Sequence, residues 1–101
     1  MEAQTVRSQI LEAIEAELEN ARKEWGPKYN STHEAYAVLK EEVEEAKDDL
    51  TIIQEDLGFL WTAVKGNSDK SFSASLKHIQ QTALELAIEA VQIAAVAKKA
   101  E

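Results

Sequence analysis

The sequence contains no cysteine, one proline and three glycines among its 101 residues. Without cysteine it has no disulfide framework, no thiolate zinc site and no cysteine nucleophile. No apolar run approaches the roughly 18 residues that a membrane span needs, and the first residues lack the basic-then-apolar order of a signal peptide. We therefore expect a soluble, cytoplasmic protein with no membrane partner.

Positive charge is also scarce. The chain has 11 lysine and arginine residues against 19 acidic residues, which gives a net charge of -8. A surface of this sign repels nucleic-acid phosphates, so DNA and RNA are disfavoured as partners. Nucleotides are still possible ligands if carboxylates hold divalent cations that supply the missing positive charge.

The composition favours helices and predicts no strands, because alanine, leucine and glutamate are abundant and glycine and proline are rare. The chain is long enough for one domain, and we expect residues 1–101 to form it. Gly26-Pro27 and the polar stretch beginning at Gly66 interrupt the apolar periodicity. The predicted helices cover about residues 2–25, 31–64 and 72–97.

The second predicted helix begins with a capping box, Ser31 to Glu34, in which each side chain accepts the other residue's backbone N–H. Unbroken, this helix is about 50 Å long, which is far more than a compact domain of this size accommodates. We therefore expect a kink or break near Gly58, or an elongated oligomer whose partner covers the overhang. Its predicted apolar stripe consists of Ala35, Leu39, Val43, Ala46, Leu50, Ile53, Leu57, Leu60 and Val64.

The third predicted helix is apolar almost all round between Ala83 and Ala97, so other helices should surround it. Three helices supply too few neighbours for that. Alanines on one face allow another helix to approach closely, which favours a subunit interface. We predict an all-α, antiparallel bundle of three main helices that is completed by self-association into a homodimer or homotetramer.

Six acidic residues lie within nine positions of the second helix. Glu41, Glu44 and Asp48 fall opposite the apolar stripe and should face water. Glu42 and Asp49 border the stripe, with Glu45 a little further round. Because Glu42 and Glu45 are three residues apart, their charges repel unless a cation lies between them.

A matching polar stripe runs along the third helix. It consists of Glu85, Glu89 and Gln92, which are spaced four and three residues apart. One interpretation is that this stripe is the wet outer face of an otherwise buried helix. The other is that Glu85 and Glu89 meet Glu42 and Glu45, forming a hard-oxygen site for Mg²⁺ or Mn²⁺ that could bind a triphosphate.

Two segments resemble motifs of the MazG-like all-α nucleoside triphosphate pyrophosphohydrolases, in particular the short versions found in phages and prophages. Residues 33–46, with the sequence HEAYAVLKEEVEEA, resemble the first motif helix, and residues 89–95, EAVQIAA, resemble the second. In that family Glu-x-x-Glu and Glu-x-x-Asp on two antiparallel helices hold Mg²⁺. The enzymes split the substrate between its α- and β-phosphates, releasing a monophosphate and pyrophosphate.

Carried onto this sequence, the resemblance implies that Glu42, Glu45 and Glu89 are metal ligands. Gln92 stands where the family has aspartate, so a neutral amide replaces one anionic ligand; Glu85, one turn earlier, could compensate. Gln92 and Lys98 are the residues we expect to contact substrate, with Lys99 as a further candidate for holding phosphates.

Two functions follow from these observations. The first is Mg²⁺-dependent pyrophosphohydrolysis of a nucleoside triphosphate at Glu42, Glu45, Glu85 and Glu89. The second is a catalytically degenerate helical oligomer that keeps the bundle as a structural or protein-interaction module, which the change at Gln92 favours. A plain coiled-coil adaptor fits less well, because Pro27 and Gly66 divide the chain.

Overall fold

A computed structural model describes residues 3–101, and these contain three helices and no strand: α1 (Ala3–Trp25), α2 (Thr32–Lys65) and α3 (Asp69–Ala100). The predicted all-α class is confirmed. The expected start of the first helix, near Glu2, lies outside the described residues. None of the described helices combines the length and apolar character that a membrane crossing requires.

The connection from α1 to α2 forms only half of the predicted capping box. Ser31 Oγ accepts the Glu34 N–H at 3.1 Å, as expected. The Glu34 carboxylate, however, accepts the backbone N–H of Asn30 at 3.0 Å and its side-chain amide at 3.1 Å. Asn30 is thereby fixed against the first turn of α2. At the other end of the connection, Gly26 follows the last residue of α1 with a positive φ of 91°.

The predicted break near Gly58 is wrong, because α2 continues through this residue to Lys65. Glycine lowers helix stability by about 1 kcal/mol relative to alanine but keeps the N–H that the helical ladder needs. The Thr62 hydroxyl also donates to the Gly58 carbonyl at 3.1 Å. A kink at this position stays a prediction.

The connection from α2 to α3 is a three-residue turn with a Schellman-type hydrogen-bond pattern. The N–H of Ser68 donates to the Ala63 carbonyl at 3.0 Å, and that of Asn67 donates to Val64 at 3.2 Å. Asn67 adopts the left-handed conformation with φ 54°. Ser68 Oγ then accepts the Ser71 N–H at 3.3 Å, so α3 begins earlier than the predicted Phe72.

The chain forms two compact units. The first combines the residues up to Val43 with Glu89–Glu101, and the second is Glu44–Ile88. The first contains α1, the start of α2 and the end of α3. The second, which we call the hairpin unit, holds the rest of α2 and α3 on either side of the turn. Both boundaries fall inside uninterrupted helices.

In the hairpin unit, α2 faces inward along a heptad-like seam that coincides only in part with the predicted apolar stripe. The half-buried or buried positions of α2 there are spaced three and four residues apart: Ala46, Asp49, Ile53, Asp56, Leu60 and Ala63. Leu50, Leu57 and Val64, predicted to face the core, are exposed, as is Val43 in the first unit. The prediction is confirmed at Ala46, Ile53 and Leu60, which belong to both the stripe and the seam. It is wrong at the exposed positions because it chose only apolar residues, whereas Asp49 and Asp56 occupy inward positions.

Large side chains are poorly covered throughout the described chain. Its buried hydrophobic residues are Leu18, Ala63 and Ala95, and no large side chain in it is fully buried. The apolar half of α3 is only partly covered, since Ala95 is buried but Leu84 and Ile88 are exposed. Coverage of these residues by a second subunit stays a prediction.

Candidate metal centre and adjoining pocket

Three of the four predicted metal ligands come together. Glu42, Glu45 and Glu89 each offer a carboxylate oxygen, and these oxygens all lie within 4.8 Å of one another. Glu42 and Glu45 are one turn apart on α2, and Glu89 lies on α3. Glu42 and Glu89 are half-buried, whereas Glu45 is exposed. Three hard oxygen donors this close, from rigid helices, match the ligand preference of Mg²⁺ or Mn²⁺.

Glu85 is not brought to this group. It lies one turn before Glu89 on α3 and is exposed. Around the helix axis Glu85 is about 40° from Glu89, but it lies about 6 Å earlier along the axis of α3. The three clustered acids do not include Glu85, and its compensating role stays a prediction.

Gln92 contacts two of the clustered acids through its amide. With its nitrogen facing the carboxylates, Gln92 Nε2 donates to Glu42 Oε2 and to Glu89 Oε2, each at 3.2 Å. A neutral donor between two carboxylates lowers their mutual repulsion without adding charge. For Gln92 to ligate a cation, its amide would have to turn and present the carbonyl oxygen instead.

A pocket of about 470 Å³ adjoins the cluster, and all its lining residues belong to the first unit. Glu42 and Gln92 line one part of it, so the pocket and the acidic cluster share side chains. The remaining wall is formed by Glu17, Ala21, Trp25, Tyr29, Asn30, Glu34, Val38, Ala95, Val96 and Lys99. It therefore combines aromatic rings, carboxylates and a single lysine.

That lysine is Lys99, not the predicted Lys98. Lys99 is only 6% exposed, and its Nζ lies 4.4 Å from the centroid of the Tyr29 ring. This is a cation–π contact, which is stronger when the ammonium is withdrawn from water. Lys98, in contrast, pairs with Glu15 of α1 and is absent from the pocket wall.

Tyr29 is held as a neutral phenol. Burial raises the pKa of its hydroxyl, and the negative charges of Glu34 and Glu42 raise this pKa further. A tyrosine is protonated at neutral pH even with an ordinary pKa of about 10, so the raised pKa extends the range of this hydrogen-bond donor to higher pH. The ring also supplies the π-face on which Lys99 rests.

Sequence reasoning missed Tyr29 and Asn30, which lie in the turn after Pro27 and line the pocket. Turn residues carry no periodicity, so nothing in the apolar pattern placed them beside α3. The two hydrogen bonds that join Asn30 to Glu34 in the first turn of α2 are seen only in the structure. Lys99 was distinguishable from Lys98 only through its position beside Ala95, one turn earlier on the buried face of α3.

No protein-family model, no curated protein and no solved structure matches this chain.

Proposed function

We propose that this chain is a divalent-cation-dependent nucleoside triphosphate pyrophosphohydrolase that self-associates. The observation that carries the proposal is the convergence of Glu42, Glu45 and Glu89 beside a pocket that contains a buried lysine. A nucleoside triphosphate needs both features, because its phosphates require cations and its base and sugar require a cavity. The resemblance of residues 33–46 and 89–95 to the MazG-like motifs agrees with this combination.

The donor set fits the proposed cation. Glu42, Glu45 and Glu89 would hold Mg²⁺ or Mn²⁺, which prefer carboxylate oxygens. Such an ion neutralises phosphate charge and lowers the pKa of a bound water. Gln92 donates its amide nitrogen to Glu42 and Glu89. If the amide rotated, its carbonyl oxygen would become a further neutral ligand of the cation.

In the proposed reaction, water attacks the α-phosphorus and the bond to the oxygen that bridges to the β-phosphate breaks. The products are a nucleoside monophosphate and pyrophosphate. Lys99 is the pocket's own cation and would bind an anionic group of the substrate. Trp25 and Tyr29 offer aromatic surface, and Asn30 offers hydrogen-bonding groups, to the nucleoside.

A second candidate function rests on Gln92. An amide that donates to two carboxylates already relieves the repulsion that would otherwise invite a cation. The cluster would then be a stable, metal-free part of a helical oligomer with a structural or protein-interaction role. The two functions predict opposite responses to divalent cations.

The experiment is a thermal unfolding series of the purified chain with and without millimolar Mg²⁺ or Mn²⁺, repeated with a non-hydrolysable nucleoside triphosphate analogue. A ligand that binds only the folded state raises the melting temperature. The enzyme proposal predicts a rise with the cation and a further rise with the analogue. Glu42→Gln should abolish both, whereas Glu41→Gln, an exposed neighbour on α2, should keep them.

No rise under any condition, or equal rises in wild type and Glu42→Gln, would reject the metal site. Neutralising Glu42, Glu45 and Glu89 together would then distinguish the second function. In a metal-free structural cluster, removal of like charges leaves stability unchanged or raises it.

A further inference from the structure

The hairpin unit contains too little buried apolar surface to be stable alone. Its buried residues are Asp56, Ala63 and Thr82, of which only Ala63 is apolar. Two helices with such a seam bury far less than a domain of this size needs, since chains below about 40 to 60 residues depend on staples or on association. The missing burial has to come from surfaces that the chain leaves exposed.

Those surfaces form an ordered stripe on α2. Leu50, Leu57 and Val64 are spaced seven residues apart, and Trp61 follows Leu57 by four, so all four lie along one face of the helix. Every one of them is exposed, Leu57 to 57% and Trp61 to 60%. Around the axis of α2, this stripe lies about 80° from the inward seam, in the rotational sense in which residue number increases.

A second stripe lies on α3 with the same offset. Phe72 and Leu76 are exposed large residues, and Ala83 and Ala87 continue the line at helical spacing. The inward seam of α3 includes Ile79 and Leu86. Around the axis of α3, the stripe lies about 80° from this seam, again in the rotational sense in which residue number increases.

The hairpin is antiparallel, as the contact between Asp56 and His78 across the turn requires. Residue number increases in opposite rotational senses around two antiparallel helices when both are viewed from the same end. Equal offsets from the two inward seams, each taken in the sense of increasing residue number, therefore lie on the same side of the pair. The two stripes therefore form one continuous apolar face, which we call the hairpin face. It comprises Leu50, Leu57, Trp61, Val64, Phe72 and Leu76, together with the two alanines.

We infer that the hairpin face binds the hairpin face of a second copy of this chain, producing a four-helix bundle. At their exposed fractions the six large residues present about 550 Å² per copy, which is at the upper end of the range of about 300 to 600 Å² for the largest apolar patch of a typical monomer. The smaller specific interfaces bury about 600 Å² per partner. The six large residues together with the exposed Ala83 and Ala87 provide about this area, so the face is large enough for a dimer.

The shape of the face also suits a second copy. A pair of helices with large residues along one line and Ala83 and Ala87 along the other can interdigitate with an identical pair across a two-fold axis. This inference rests on the self-association proposed above and does not depend on the metal chemistry. The chain could therefore be monomeric and still respond to divalent cations, or it could dimerise without responding to them, so the two proposals are tested separately.

The first test is the mass of the full chain in solution, measured by light scattering or sedimentation across a range of micromolar concentrations. The wild type should have the mass of two chains, or of four if dimers associate further. Leu57→Glu and Trp61→Glu should raise the dissociation constant at least about 30-fold, as expected for central interface residues. The matched control is Phe59→Glu: Phe59 is 62% exposed but lies on the opposite side of α2, so the assembly should persist.

A second measurement needs no disruptive substitution. In a Trp25→Phe background the fluorescence comes from Trp61 alone, because the chain has two tryptophans. On dilution through the dissociation range, Trp61 should pass from a shielded to a quencher-accessible state in parallel with the loss of mass. A monomeric wild type at all concentrations would overturn the inference. So would an assembly that Phe59→Glu dissociates as strongly as Trp61→Glu, or one in which Trp61 stays accessible.

Discussion

His78 Nδ1 and Asp56 Oδ2 lie 2.6 Å apart, and the two residues stand eleven positions on either side of Asn67. Asp56 is only 6% exposed, whereas the His78 side chain is about half exposed. The pair therefore links α2 to α3 in the hairpin unit, with the carboxylate buried and the imidazole ring near the surface. It also explains why an acidic residue occupies an inward position of α2, since a buried carboxylate needs a hydrogen-bond partner.

Removal of this partner should destabilise the chain. His78→Ala leaves the carboxylate of Asp56 buried without its hydrogen bond to the ring, and the free energy of unfolding should fall by about 1 to 2 kcal/mol. His33→Ala, at an exposed position in the first turn of α2, should change it by less than about 0.5 kcal/mol. Urea unfolding of the two variants measures both values, and equal losses would contradict a specific role for the pair.

Gln92 should control the balance between metal-free stability and cation binding. Gln92→Asp replaces the donating amide with a third carboxylate beside Glu42 and Glu89, so the metal-free melting temperature should fall and the rise caused by Mg²⁺ should grow. Gln81→Asp makes the same chemical change at an exposed position of α3. If both variants respond alike to Mg²⁺, the amide has no special place in the cluster.

Lys99 should contribute to nucleotide binding and Lys98 should not. Lys99→Met removes the cation of the pocket and should weaken binding of the triphosphate analogue by about 10- to 100-fold, the range for a lost hydrogen bond to a charged group. Titration calorimetry in the presence of Mg²⁺ measures this change. Lys98→Met should leave the affinity within about two-fold, because Lys98 pairs with Glu15 outside the pocket. A thermal response to Mg²⁺ alone that survives in Lys99→Met would show that the acidic cluster is intact.

The raised pKa of Tyr29 predicts that the folded chain loses stability at high pH. Its pKa is raised in the folded chain, first by burial and then by Glu34 and Glu42, so the folded state keeps a proton that the unfolded state releases. Stability due to this group is fully present below the unfolded value of about 10 and decreases as the pH rises through the folded value. Denaturant unfolding from about pH 9 to about pH 11 should show a smaller loss in Tyr29→Phe than in Tyr36→Phe. Identical profiles would contradict this role for Tyr29.

The helices themselves were predictable from local signals. Gly26-Pro27, Ser31 and Gly66 mark their ends in the sequence, and the structure begins and ends α2 at Thr32 and Lys65. The inward face of α2 was not predictable in the same way. Hydrophobic periodicity selected Leu50 and Leu57, whereas the inward Asp56 depends on a partner 22 residues away, which a local pattern does not register.

The candidate site was likewise predictable only in part from the sequence. Glu42 and Glu45 follow from their spacing on one helix, and Glu89 follows from the resemblance together with the polar stripe of α3. Glu85 belongs to the same stripe but is not in the cluster, and it lies one turn, about 6 Å, earlier along the axis of α3 than Glu89. The choice between Lys98 and Lys99 also required the structure, since adjacent residues of a helix face about 100° apart.

The most direct test of the proposed function is pyrophosphate release, assayed over the common nucleoside triphosphates with Mg²⁺ or Mn²⁺. Two variants of α3 form a matched pair, because Glu89 belongs to the acidic cluster and Glu85, one turn earlier, does not. We expect the wild type and Glu85→Gln to release pyrophosphate and monophosphate in a cation-dependent reaction, and Glu89→Gln to lose this activity. An inactive wild type with every substrate and cation, or equal activity in Glu89→Gln and Glu85→Gln, would contradict it.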